Sequence, residues 1–191
     1  MAWCSDDELR AIGLRFGSNV RVDRSAMFFG AEQITIASNV RIDAWSLITA
    51  EQPIRIGNFV HVGAGAMIFG RAGVVLDDFS GLSPRACILT TSDDFVEGYL
   101  TNPTVPEEFK RVTAMPVVMK KHSLLGCGSV VLPGVTVGEG AAIGALSLVH
   151  RDVQAFAVLC GNPPRKVATR NEIRLRELEA KLLEQYRAPP L

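Results

Sequence analysis

The chain carries no excess charge of either sign: 20 lysines and arginines face 20 aspartates and glutamates in 191 residues. A basic surface suited to nucleic acid is therefore not written into it, and no block of like charge marks a solvated tail. No apolar run reaches membrane-spanning length. The opening Met-Ala-Trp-Cys-Ser-Asp-Asp-Glu lacks the charged-then-apolar order of a secretory signal. Cysteine is sparse: Cys4, Cys87, Cys127 and Cys160 are scattered, with no Cys-x-x-Cys pair. They read as small residues of a reduced, cytoplasmic protein rather than a disulfide framework. Histidine is scarcer still, with only His61, His122 and His150. Far apart and without a closely spaced pair, they do not present a three-histidine metal set.

What the chain does have is a period of six. Met119, Leu125, Val131, Val137, Ile143 and Val149 recur at every sixth position, and small or β-branched residues (Ser123, Ser129, Val135, Ala141, Ser147) follow each of the first five by four places. Six fits neither a 3.6-residue helix nor an alternating strand. It fits a chain winding through short strands and tight corners, one three-sided coil per three hexads. Upstream the same spacing joins Phe16, Val22 and Phe28; Ile36, Ile42 and Ile48; Ile56, Val62 and Ile68; Leu76, Leu82 and Ile88, with eight residues between sets. Coils one to four therefore have twenty residues, with two extra at one corner. The predicted fold is an all-β parallel β-helix of about six coils, a prism on the order of 30 Å tall at strand spacing. Its anchors and small residues point inward, and each inner strand pairs with the coils above and below.

In order, Ser5 caps a short helix over residues 5–13, with Glu8 as its capping-box partner. That helix is expected to shield the edge of the first coil. Coils one to four occupy 16–89. The period then breaks over 90–116, an excursion with Phe95, Tyr99, Leu100 and Phe109. So many anchors predict an ordered loop packed on the prism or on a neighbouring subunit. Coils five and six fill 117–152. In the tail, 153–191, prolines stop ladder pairing. A charged helix then carries Ile173, Leu175, Leu178, Leu182 and Leu183 on one stripe, expected to cap the prism end or meet another subunit. Residues 187–191 read as frayed.

With Gly126 to Val149, Gly161-Asn162-Pro163 and Ser92-Asp93-Asp94-Phe95 in place, the sequence resembles the hexapeptide-repeat acyltransferases of the left-handed β-helix type. Gly57-Asn58-Phe59-Val60-His61-Val62-Gly63 and Thr101-Asn102-Pro103-Thr104-Val105-Pro106 narrow the resemblance to acetyltransferases of bacterial surface-polysaccharide synthesis. The resemblance implies left-handed winding, a homotrimer, and acetyl-CoA in a groove between adjacent prisms. It also implies a sugar or nucleotide-sugar acceptor, as in O-antigen or capsule synthesis, with a hydroxyl acceptor favoured over an amine. Carried over from the related galactoside acetyltransferases, the CoA contacts fall on Cys127, Ala145, His150, Arg151 and Arg165. His150 stands where that family has threonine.

Acetyl transfer needs a base for the acceptor proton, and histidine suits it near neutrality. His61 directly precedes the anchor Val62 and so points outward, with Arg21, Arg41 and Gly81 in its column. It is the expected base. His122 follows Lys120 and Lys121 and reads as a solvated surface residue, and His150 matches a CoA contact. The galactoside enzymes carry their histidine in the loop, where this chain has Thr-Thr-Ser-Asp-Asp-Phe. Asp94 or Asp93 is therefore the expected partner steadying the His61 ring. Tyr99 and Asn102 are candidates for touching the sugar. The rival readings are a zinc hydratase resembling the γ-class carbonic anhydrases and a non-catalytic β-helix scaffold.

Overall fold

The computed structural model describes residues 2–187. Three parallel faces wind in sequence. The first comprises Arg15–Phe16, Ile34–Ile36, Ile54–Ile56, Val74–Leu76, Val117–Met119 and Thr136–Val137. The second runs Arg21–Val22, Arg41–Ile42, His61–Val62, Gly81–Leu82, Leu124–Leu125, Ala142–Ile143 and Ala157–Cys160. The third holds Met27–Phe29, Leu47–Ala50, Met67–Gly70, Cys87–Leu89, Val130–Val131 and Leu148–Val149. Each strand pairs in parallel with the same strand of the next coil, as Arg41 does with His61 and Ile48 with Ile68.

The period of six is this geometry. One inward side chain per short strand stacks on its equivalents, and Ile36, Ile42, Ile48, Ile68, Leu76, Leu82, Ile88, Met119 and Leu125 are fully buried. Each such burial stabilises the fold by about 1.5–3 kcal/mol. The two extra residues of the early coils lengthen the third and first faces around their shared corner, which adds the inward Ile34, Ile54 and Val74, all buried. That corner is tight: a Cβ on Gly70 would lie 2.5 Å from Ile54 Cδ1 and 2.9 Å from the Thr49 carbonyl. At the corner between first and second faces, Asn19, Asn39, Phe59, Phe79 and His122 all take positive φ, between 53° and 61°. The backbone turns there by left-handed residues that are seldom glycine, so their side chains project from the corner as one column.

At the N-terminus, helix α1 (Asp6–Ala11) has the expected capping box between Ser5 and Glu8 and buries Leu9 in the core. Residues beside it pair with the first coil, the Cys4 amide donating to the Val22 carbonyl at 2.8 Å. The excursion is ordered at its base, where Thr91–Asp93 pairs antiparallel with Val112–Ala114. Its Phe95, Val96, Leu100 and Phe109 remain exposed and are not packed on the prism.

Three expectations need correction. The winding does not stop at residue 152. Val153 bridges to Val137, and Ala157–Cys160 adds a partial seventh coil, closed by the antiparallel strand Arg165–Thr169. The third corner of coil six is two residues short there, so the hexad phase slips and hides the turn. The C-terminal helix α2 (Glu172–Arg187) caps no end: it lies along the first-to-second corner of its own prism, with Tyr186 edge-on to Phe59 and Arg176 over the Phe156 ring. Arg187 closes that helix, and the rest of the segment expected to fray, 188–191, lies outside the described residues. Finally, His122 is not solvated. Its side chain is 7% exposed, stacks on Phe79, and lies 2.8 Å from Glu179 of α2, which also takes the ammonium of Lys121.

Candidate active site

The second face builds the site. Outward positions on it stack as Arg21, Arg41, His61, Gly81, Leu124, Ala142 and Val158. His61 stands in this column, half exposed. Its partner is Asp43, two residues along the strand direction and one coil back. Asp43 Oδ2 accepts from His61 Nε2 at 2.8 Å, and Asp43 Oδ1 accepts from Arg41 Nε at 2.7 Å. The Asp43 side chain is only 12% exposed. Burial pushes its carboxyl up, but the hydrogen bonds and charges of Arg41 and His61 outweigh that and hold it below the ordinary carboxylate value. An ionised carboxylate accepts only, so the Nε2 of a neutral His61 carries the proton and Nδ1 keeps its lone pair.

His61 borders a cleft of about 370 Å³. Phe59, Phe79 and His122 form one wall as a stacked ladder, with ring centroids 4.9 and 4.8 Å apart. Gly81, Ser83 and Pro84 form the floor, and Leu124 and Arg170 stand beyond. Arg170 donates to the His122 carbonyl at 2.8 Å, tying the chain that enters α2 to the same wall.

The excursion goes elsewhere. It leaves the prism at the third-to-first corner, where Thr90 Oγ1 donates to the Phe69 carbonyl and accepts from the Ala72 amide. The second face lies opposite that corner. Asp93 and Asp94 therefore do not orient His61 within the chain, and that expectation is corrected in favour of Asp43. Asp94 instead caps a turn, accepting from the amides of Glu97 and Val96. These bonds, against a smaller effect of burial and aided by Arg111, hold its carboxyl below the usual range. Asp93 accepts from the Asn102 amide at 3.0 Å and lines a second cleft with Arg71, Lys110 and Pro103. Tyr99 packs under the Arg111 guanidinium at the edge of the same loop.

The five positions carried over for CoA fall along coils five to seven. Cys127 and Ala145 are exposed at successive second-to-third corners, where the Leu146 amide donates to the Cys127 carbonyl. His150 and Arg151 line a cleft of about 420 Å³ with Pro163 and Pro164. Arg165 is exposed at the start of the closing strand, paired with Cys160. His61 and His122 border one cleft and His150 another, and no group of three metal-ligating side chains occurs among the described residues.

Sequence reasoning missed Asp43. The signal was present: in coils of twenty, residues eighteen apart are diagonal neighbours on one face, and Asp43 and His61 have that separation.

A parallel β-helix with an outward imidazole–carboxylate pair in a grooved flank defines the class as a hexapeptide-repeat protein. No protein-family model matches the chain. Individual proteins do. The chain is 37% identical over 182 residues to the dTDP-4-amino-4,6-dideoxy-D-glucose acyltransferase of Escherichia coli, covering 94% of each. It superposes with a TM-score of 0.92 and 32% identity on a serine variant of AntD, an N-acyltransferase from Bacillus cereus, in complex with dTDP-4-amino-4,6-dideoxyglucose and coenzyme A. That match covers 96% of this chain and 98% of the other. A maltose O-acetyltransferase from Clostridium difficile 630, at TM-score 0.56 and 19% identity, shares the fold. The chain belongs to the hexapeptide-repeat family of sugar acyltransferases.

Proposed function

We propose that the protein transfers an acyl group from acyl-CoA to the amino group of a nucleotide-linked amino sugar, with His61 as the base. The observation that carries this is the His61–Asp43 pair at the mouth of the second-face cleft. The relatives favour an amine over the hydroxyl expected above: one is named for a dTDP-linked amino sugar, and AntD is an N-acyltransferase crystallised with such a sugar and coenzyme A. AntD has also been crystallised with dTDP and 3-hydroxybutyryl-CoA. In surface-polysaccharide synthesis such an amide would be set on the sugar before it is polymerised.

The chemistry follows from the tautomer. The neutral amine attacks the thioester carbonyl, and His61 Nδ1 takes the proton that the nitrogen sheds on forming the C–N bond. The imidazolium so formed is steadied by the Asp43 carboxylate. Collapse of the tetrahedral adduct breaks the C–S bond, and the thiolate leaves with that proton. Arg41 keeps Asp43 ionised and fixed. Cys127 and Ala145 would border the pantetheine arm, with His150, Arg151 and Arg165 near the phosphates. In a homotrimer, a neighbour's excursion loop would bring Asp93, Asn102 and Tyr99 towards the acceptor. Both substrate classes are made in the cytoplasm, where we place the enzyme.

The test is product analysis by mass spectrometry, with dTDP-4-amino-4,6-dideoxyglucose and its 4-hydroxy counterpart offered in parallel with acyl-CoA. An amide on the amino sugar and no ester on the hydroxy sugar is expected. An ester at a comparable rate would restore the O-acyl reading, and light scattering at the trimer mass would accompany activity.

A further inference from the structure

We infer that the acyl tail lies in a gap at Gly81, bordered by Leu124, and that the donor's acyl group is larger than acetyl, a short apolar chain of about three to five carbons. This rests on the reading of His61 as the base.

Along the outward column every coil presents a side chain except at Gly81. The gap is one rung from His61, about 4.8 Å away. Backbone geometry does not require glycine there. The glycines one row over are demanded by close packing: a Cβ on Gly63 would meet the Pro84 nitrogen at 2.7 Å, and one on Gly126 the Ile143 carbonyl at 2.5 Å. A Cβ on Gly81 would meet only Leu124 Cδ1 at 3.4 Å and the His61 carbonyl at 3.9 Å, both ordinary contacts, and its φ lies outside the left-handed region. The empty space is left by the sequence without being imposed by the coil.

The column also changes character at this point. Before the gap stand Arg21, Arg41 and His61, and after it Leu124, Ala142 and Val158, with Leu124 exposed. A thioester carbonyl attacked by a nitrogen that gives its proton to His61 must lie beside the ring. Its tail then points one rung either way. Towards Arg41 the space is filled and charged, because that guanidinium is held on Asp43. Towards Gly81 it is open, with the apolar Phe79, Pro84 and Leu124 around the gap and the polar Ser83 and Arg170 on the same cleft. An acetyl methyl would leave the gap partly empty, and one to three more carbons fill it.

The experiment compares kcat/KM for acetyl-, propionyl- and butyryl-CoA on the native enzyme and on Gly81→Val, Leu124→Ala and His61→Gln. A methylene in an apolar pocket changes discrimination by about tenfold or more. The native enzyme is expected to favour butyryl, two methylenes longer, over acetyl by about a hundredfold, Gly81→Val to reverse the preference, and Leu124→Ala to shift it towards longer chains. A native preference for acetyl, or a Gly81→Val loss equal for all donors, overturns the assignment. Valine suits a strand position; should that variant not fold, Gly81→Ala, whose Cβ fits, gives the same comparison on a smaller scale. The two readings separate cleanly. Native turnover in His61→Gln with a shifted donor ratio in Gly81→Val removes the base and keeps the pocket. Lost turnover in His61→Gln with an unshifted ratio does the reverse.

Discussion

Replacing Asp43 with asparagine keeps the shape of the side chain and removes its charge. Three quantities follow from the structure. The bond from His61 Nε2 is 2.8 Å long and the carboxylate is 12% exposed, so it is a charge-assisted bond in a mostly dry setting. Such bonds contribute about 1.5–3 kcal/mol. His61 itself is half exposed, which favours the lower half of that range. At about 1.4 kcal/mol per tenfold in rate, kcat should fall roughly ten- to thirtyfold as the imidazolium loses its counter-charge. KM for both substrates should change little, because Asp43 stands behind His61 and does not line the cleft. Fold stability should fall by no more than about 1 kcal/mol, since Arg41 is nearly half exposed and keeps its place over the Trp3 ring. The assay is thiol release from acyl-CoA, run as a double-mutant cycle with His61→Gln. If Asp43 acts through His61, the asparagine change costs nothing further once the imidazole is gone. Additive losses, or a fall in kcat/KM carried by KM, would refute the positioning role.

Other consequences are tested on the fold. Ile68→Ala, in the middle of the prism and fully buried, should destabilise by about 2–5 kcal/mol, because the coils above and below are held by backbone pairing and cannot close the cavity; denaturant titration measures it. Glu179 joins α2 to the corner ladder. Burial raises its carboxyl, but Lys121 and His122 together lower it below its ordinary value. A depressed carboxyl stabilises the fold above its unfolded value, near 4.5, and that contribution disappears as pH falls through the lower folded value. Native protein should therefore lose stability more steeply than Glu179→Gln on acidification below that pH, and equal slopes in thermal melts would count against the docking.

The prism was legible because one inward residue in six is the whole requirement of its core: the spacing of Ile36, Ile56 and Leu76 is enough to announce a column. The seventh coil was not legible, because the step from Val149 to Val153 breaks the phase that made the others visible. His61 could be picked out since its place beside Val62 fixes its direction. Asp43 is tied to it by coil stacking, which reaches across eighteen residues and must be unrolled to be read. His122 misled for a different reason. Lys120 and Lys121 beside it look like solvent, yet Lys121 reaches Glu179 from a helix fifty residues downstream that lies back along the corner. Local composition carries no trace of that return.

The most direct measurement is acylation of dTDP-4-amino-4,6-dideoxyglucose by native protein and by His61→Gln under identical single-turnover conditions. Loss of general-base catalysis should slow amide formation by about 10²–10⁴-fold while acyl-CoA still binds. Amide formed at the native rate without the imidazole would contradict the account.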